Sequence, residues 1–181
     1  GSAQASFACT LTAVSAGTVS VSTATFSATN VNTGGAVAVA ANLAGTVEVL
    51  VQSPPLLRLI GLQASRTALS SGQTLQATLT ASNAGGATAN ITRARLVFAG
   101  SQLTAGPQPV SVNLAAGQQT TFTFTVGTVG VGNTDITSAV LAATDSNSGR
   151  AVPISPPALT PVTVTVVSPP GFKIKTIVAS K

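Results

Sequence analysis

The sequence predicts an all-β protein, an antiparallel β-sandwich built on a tandem repeat of 115 residues. Three observations lead there. The chain is rich in Val, Thr, Ala, Ser and Gly, with only six aromatic residues, all Phe, and no Trp, Tyr or Met. β-Branched residues fit a pleated, half-buried surface, and Gly and Pro punctuate it. Apolar and polar residues alternate over short segments, with no convincing period of 3.6, so little helix is expected. Finally, the chain matches itself.

Shifted by 115 positions, residues 6–66 align with 121–181 without a gap, and nineteen of the 61 pairs are identical. ATNVNTGGAV (28–37) falls on ATDSNSGRAV (143–152), and VEVLVQSPP (47–55) on VTVTVVSPP (162–170). Phe7, Thr10, Val14 and Gly17 fall on Phe122, Thr125, Val129 and Gly132. LLRLIGLQASR (56–66) falls on GFKIKTIVASK (171–181). The expected organisation is therefore the back half of one sandwich repeat (1–55), a complete repeat (56–170), and a first strand of a following repeat or a donor strand (171–181).

Within 56–170, period-2 alternation places the strands. Leu57, Leu59 and, less regularly, Ile60 and Leu62 open the repeat. After the Ser71-Gly72 turn, Leu75, Ala77, Leu79 and Ala81 alternate with polar partners. Asn83 to Gly86 breaks the chain before Ile91–Phe98, and Pro107 and Pro109 bound an expected long loop. Val110, Val112 and Leu114 form a short strand, Phe122, Phe124 and Val126 another, and 136–143 and 162–166 complete the set. About seven strands at turn spacings near ten residues are the pattern of a sandwich. Cys9 occupies the place of Phe124 in the self-alignment, so a buried, inert thiol is expected. A single cysteine excludes an intrachain disulfide.

LSSGQTLQATLTASNAGGATANIT (69–92) and VNLAAGQQTTFTFTV (112–126) carry a Gly72-Gln73 turn, an Asn83–Gly86 turn, and a Leu-x-x-Gly turn into a Thr-rich strand. In these features the chain resembles bacterial immunoglobulin-like surface repeats of the cell-adhesion-related, CARDB type. The likeness spans about half of the complete repeat and implies an Ig-like sandwich acting as a spacer or adhesion module. It implies no catalytic residues, and the sequence departs from the family pattern after Asp135.

Chemistry has little to work with. There is no His, and Glu48, Asp135 and Asp145 are the three acidic residues, which removes Ser–His and Cys–His nucleophiles. In the self-alignment Asp135 and Asp145 fall opposite Ser20 and Asn30, a poor basis for paired carboxylate chemistry. No enzyme activity and no cofactor are expected. Asp145-x-Asn147-x-Gly149 has the outline of a calcium loop, but it offers one carboxylate where calcium prefers several. Asn30-x-Asn32-x-Gly34 offers none. The same residue types serve turns, so Asp145 and Asn147 are read first as a turn and only second as a metal site. Residues 56–170 contain no Lys, which excludes a Lys–Asn or Lys–Asp isopeptide cross-link there. Asn90-Ile91-Thr92 is a glycosylation sequon, read as incidental.

The net charge of +5 reflects a scarcity of acids rather than a basic cluster, since the basic residues are scattered apart from Arg93/Arg95 and Lys173/Lys175. Nucleic acid is not an expected partner. No apolar run approaches the ~18 residues of a membrane span. No signal-like segment opens the sequence, so the N-terminus leaves export open. Composition favours a secreted or cell-surface structural protein, with tandem modules joined by Ser-Pro-Pro segments. The expected partners are neighbouring copies of itself or adjacent repeats. An alternative is a filament subunit in which 171–181 acts as a donor strand, with Phe172, Ile174 and Ile177 as its interaction residues. A polysaccharide-binding accessory domain is the weaker alternative, because Trp and Tyr platforms are absent.

Overall fold

The computed structural model describes residues 6–37, 45–155, 159–173 and 175. The chain divides into two compact units, Gly1–Ser53 and Pro54–Lys181. Every regular element among the described residues is a strand.

The first unit holds β1 (Gly17–Val21), β2 (Ala28–Thr29), β3 (Ala36–Val37) and β4 (Val47–Val51). β1 pairs antiparallel with β4, from Gly17↔Val51 to Val21↔Val47, and β2 pairs antiparallel with β3. These are two separate two-stranded ribbons. Such ribbons are too narrow to bury an apolar face on both sides. Phe7, Leu11, Val14, Val47 and Leu50 are accordingly exposed.

The second unit contains β5 (Leu57–Ala64), β6 (Ala68–Ser70), β7 (Thr74–Asn83), β8 (Ala89–Ala99), β9 (Leu103–Thr104), β10 (Gln108–Leu114), β11 (Gln119–Thr128), β12 (Gly132–Asp145), β13 (Ile154–Ser155) and β14 (Val162–Val167). They form two five-stranded sheets, β10-β8-β12-β14-β6 and β13-β5-β7-β11-β9. Alternation fills the space between them. Leu75, Ala77, Leu79 and Ala81 of β7 and Phe122, Phe124 and Val126 of β11 are buried in the same core cluster as Ile91, Leu96, Ile136, Leu141, Val164 and Val166. Phe124 is the largest fully buried side chain among the described residues.

The sandwich follows the sequence expectation with identifiable departures. Two pairings are parallel, β13 with β5 and β14 with β6. The strands β6, β9 and β13 are two or three residues long, too short for a period to be read. The irregular start of the repeat is a register shift between Leu59 and Gly61, which turns Ile60 outward and lets Leu62 pack against the core. Pro109 lies inside β10 rather than in a loop. β10 is an edge strand with a register shift between Pro109 and Val112, where a residue without an N–H is tolerated.

Asn83 ties three strand ends together. Its amide donates to the carbonyls of Ala87 (2.7 Å) and Leu114 (2.9 Å), and its Oδ1 accepts from the backbone N–H of Leu56 (3.1 Å) and Gly85 (3.0 Å). The residue is 1% exposed, so these bonds replace water that cannot reach it. Gly85 passes so close to the Pro54–Leu56 backbone that a Cβ there would collide with Pro55 Cα at 2.5 Å.

Candidate functional site

Of the residues with a calcium-loop outline, Asp145 ends β12 and Asn147 lies in the turn that follows it. Asp145 Oδ1 accepts from the Asn147 N–H at 2.9 Å, and Oδ2 accepts from the Ser148 hydroxyl at 2.9 Å. The Gly149 N–H returns to the Asp145 carbonyl, and Gly149 adopts φ +69°, a left-handed conformation suited to glycine. Bonds to the Asn147 N–H first and the Ser148 hydroxyl second hold the Asp145 carboxyl below its ordinary pKa. Both oxygens are thus engaged by the turn itself, and the described residues contain no group of three His, Cys, Asp or Glu able to hold a metal.

The turn has a close relative in the first unit. Asn30 Oδ1 accepts from the Asn32 N–H at 2.9 Å, the Gly34 N–H bonds the Asn30 carbonyl, and Gly34 has φ +68°. Sheet register follows the same offset. Gly17↔Val51 through Val21↔Val47 in β1–β4 become, on adding 115, Gly132↔Val166 through Ile136↔Val162 in β12–β14. Thr29↔Ala36 becomes the Thr144↔Ala151 bridge.

The burial does not follow. In the second unit Val126, Ile136, Val164 and Val166 are at most 1% exposed. Their counterparts Leu11, Val21, Val49 and Val51 line an open groove of about 250 Å³ together with Val14 and Val19. Cys9 is exposed, not buried as expected. Its counterpart Phe124 lies in β11, which is clamped between β7 and β9, whereas residues 6–16 form no strand and pair with no strand among the described residues. Phe7 is 70% exposed, its ring 5.1 Å from that of Phe26. A half-sandwich in 1–55, the organisation expected from the repeat, leaves such a face uncovered. The signal was present in the self-alignment, as the positions 115 before the core.

Among the expected interaction residues, Phe172 is 95% exposed and outside any strand, while Ile174 and Ile177 lie outside the described residues, as does most of the proposed donor segment 171–181. Arg93 and Arg95 are exposed on β8 and line a shallow depression with Val140 and Ala142.

The fold defines a β-sandwich module. No family model matches the chain, and no curated protein matches it. Among solved structures, the chain is similar to the CARDB domain of a Pyrococcus furiosus protein, solved in complex with di-metal ions: 16% identity, TM-score 0.43, 65% of this chain and 97% of that one. A solution structure of the same domain gives the same identity and TM-score over 64% of this chain and 97% of that one. The seventh type I cohesin of Pseudobacteroides cellulosolvens is similar at 8% identity and TM-score 0.30, over 67% of this chain and 99% of that one. CARDB domains, the type suggested by the Gly72-Gln73 and Asn83–Gly86 turns, thus stand among the similar structures. The fold assignment itself rests on the strand pairing above.

Proposed function

We propose that the protein is a non-enzymatic structural module, part of a tandem array of Ig-like β-sandwiches forming a stalk or adhesive fibre of an exported bacterial surface protein. The observation that carries this reading is the recurrence of strand register and turn hydrogen bonds at an offset of 115 residues. Equal modules joined by a short proline-stiffened segment give an extended rod. A surface poor in charge and rich in small side chains suits lateral packing. The test is a length series: further copies of residues 56–170 appended in register, measured by small-angle scattering. The maximum dimension is expected to grow linearly, by about 30–40 Å per copy for strands of ten to twelve residues. Growth into a compact particle would sink the reading.

A second reading is a filament subunit whose segment 171–181 completes a neighbouring copy. It is favoured by the position of Phe172, which falls on the fully buried Leu57 yet is itself exposed. Deleting 171–181 should then abolish polymers seen by negative-stain microscopy, and persistence of polymers rules it out.

A further inference from the structure

We propose that the open face bounded by Leu11, Val19, Val21, Val49 and Val51 is a strand-acceptor site, and that its occupant is a polypeptide segment with the strand pattern of this chain's own residues 56–118. The inference rests on the repeat reading above and deepens it by naming which strands the acceptor lacks.

The complete sandwich shows what covers each counterpart. β11 lies against β7 from Thr121↔Thr80 to Gly127↔Thr74. The residues 115 earlier, 6–12, keep the inward apolar positions as Phe7, Cys9 and Leu11, yet form no strand. A strand whose pairing partner is missing leaves its N–H and C=O groups to water and loses its register. The first missing element is therefore the equivalent of β7. β12 is flanked by β14 on one edge and β8 on the other, the β8 register running through Asp135↔Ala99 and Ile136↔Phe98. Among the described residues β1 pairs with the β14 equivalent, β4, and with no strand on its other edge. The second missing element is the equivalent of β8.

Segment 171–181 supplies neither. It corresponds to β5, which pairs with β7 from Leu57↔Asn83 to Ala64↔Ala77 and, among the described residues, with β13 at Leu57 and Arg58. β5 is hydrogen-bonded to neither β11 nor β12. A β5-like strand arriving without a β7-like strand would find little backbone to pair with. The occupant must bring β7 and β8 together, and residues 56–118 are the stretch that carries both. The acceptor surface carries no charge to repel it: its lining is apolar apart from Thr12 and Ser15.

The test fuses a copy of residues 54–118 directly ahead of Gln4, which stands 115 positions before Gln119, in the otherwise full chain. Cys9 reports the outcome, because it is exposed now and its counterpart Phe124 is fully buried. Its reaction with a disulfide reagent is expected to slow by on the order of 100-fold or more, since reaction would then require local opening. The amides of Val19, Val21 and Val49 should gain hydrogen-exchange protection in parallel. The same fusion with Leu75→Ser and Leu79→Ser in the added copy should restore fast reaction at Cys9. Original reactivity and exchange in the unaltered fusion overturn the proposal. So does a slow Cys9 in the unfused chain, whether lost on deleting 171–181, which makes the tail the occupant, or dependent on concentration alone, which makes it a face-to-face dimer. The scattering series above is independent of Cys9, so failure of the acceptor site and failure of the rod are separately visible.

Discussion

Asn30 and Asp145 stand 115 residues apart and hold the same turn: each Oδ1 accepts the backbone N–H two residues on, at 2.9 Å. A neutral amide and a carboxylate thus perform one structural task. What the carboxylate adds is a bond from the Ser148 hydroxyl to its other oxygen, and a titration.

The titration gives a pH prediction. A folded-state pKa below the ordinary Asp value of about 3.9 means stabilisation that is present above that value and is lost as pH falls through the lowered one. Asp145→Asn keeps the Oδ1 acceptor that Asn30 uses and removes the titration. The variant should fold at pH 7, and its melting temperature should fall less steeply than that of the parent between pH 5 and pH 2. Identical pH profiles by circular dichroism would show that the turn bonds to Asp145 are not formed in solution.

The same bonds bear on metal. With both Asp145 oxygens committed within the turn, millimolar calcium or excess chelator should leave the melting temperature unchanged. A saturable upward shift with calcium, absent in Asp145→Asn, would reinstate Asp145 and Asn147 as a metal site.

Asn83 is the larger structural commitment. Asn83→Ala strands the N–H of Leu56 and the carbonyls of Ala87 and Leu114 beside a buried methyl. The expected loss for the 54–181 unit is about 3 kcal/mol, read from urea unfolding. A loss under about 0.5 kcal/mol, the scale of an ordinary surface change, contradicts the network.

Phe124 and Cys9 occupy equivalent places in the self-alignment and should respond oppositely. Phe124→Ala empties a site with no solvent exposure and is expected to cost about 3–5 kcal/mol. Cys9→Ala changes an exposed side chain and should stay within about 0.5 kcal/mol. Equal costs at the two positions would mean that residues 6–16 are packed in solution.

The sequence by itself determined the strand content, the main core positions and the matching turns. Leu75, Leu79, Phe122 and Phe124 declare themselves by period-2 alternation, because every second side chain of a strand meets the same face. Gly declares the turns because few other residues accept a left-handed backbone, and Asn and Asp because their side chains bond the backbone N–H two residues on. Tertiary structure decided what pairing geometry and neighbours control. Pro109 reads as a loop residue until an edge strand with a shifted register accommodates it. The parallel pairings of β6 and β13 join residues about a hundred positions apart, in strands too short to show a period. Cys9 was legible as a core position and is exposed nonetheless. Alternation says which face a side chain would bury, and only a second layer of strands can bury it.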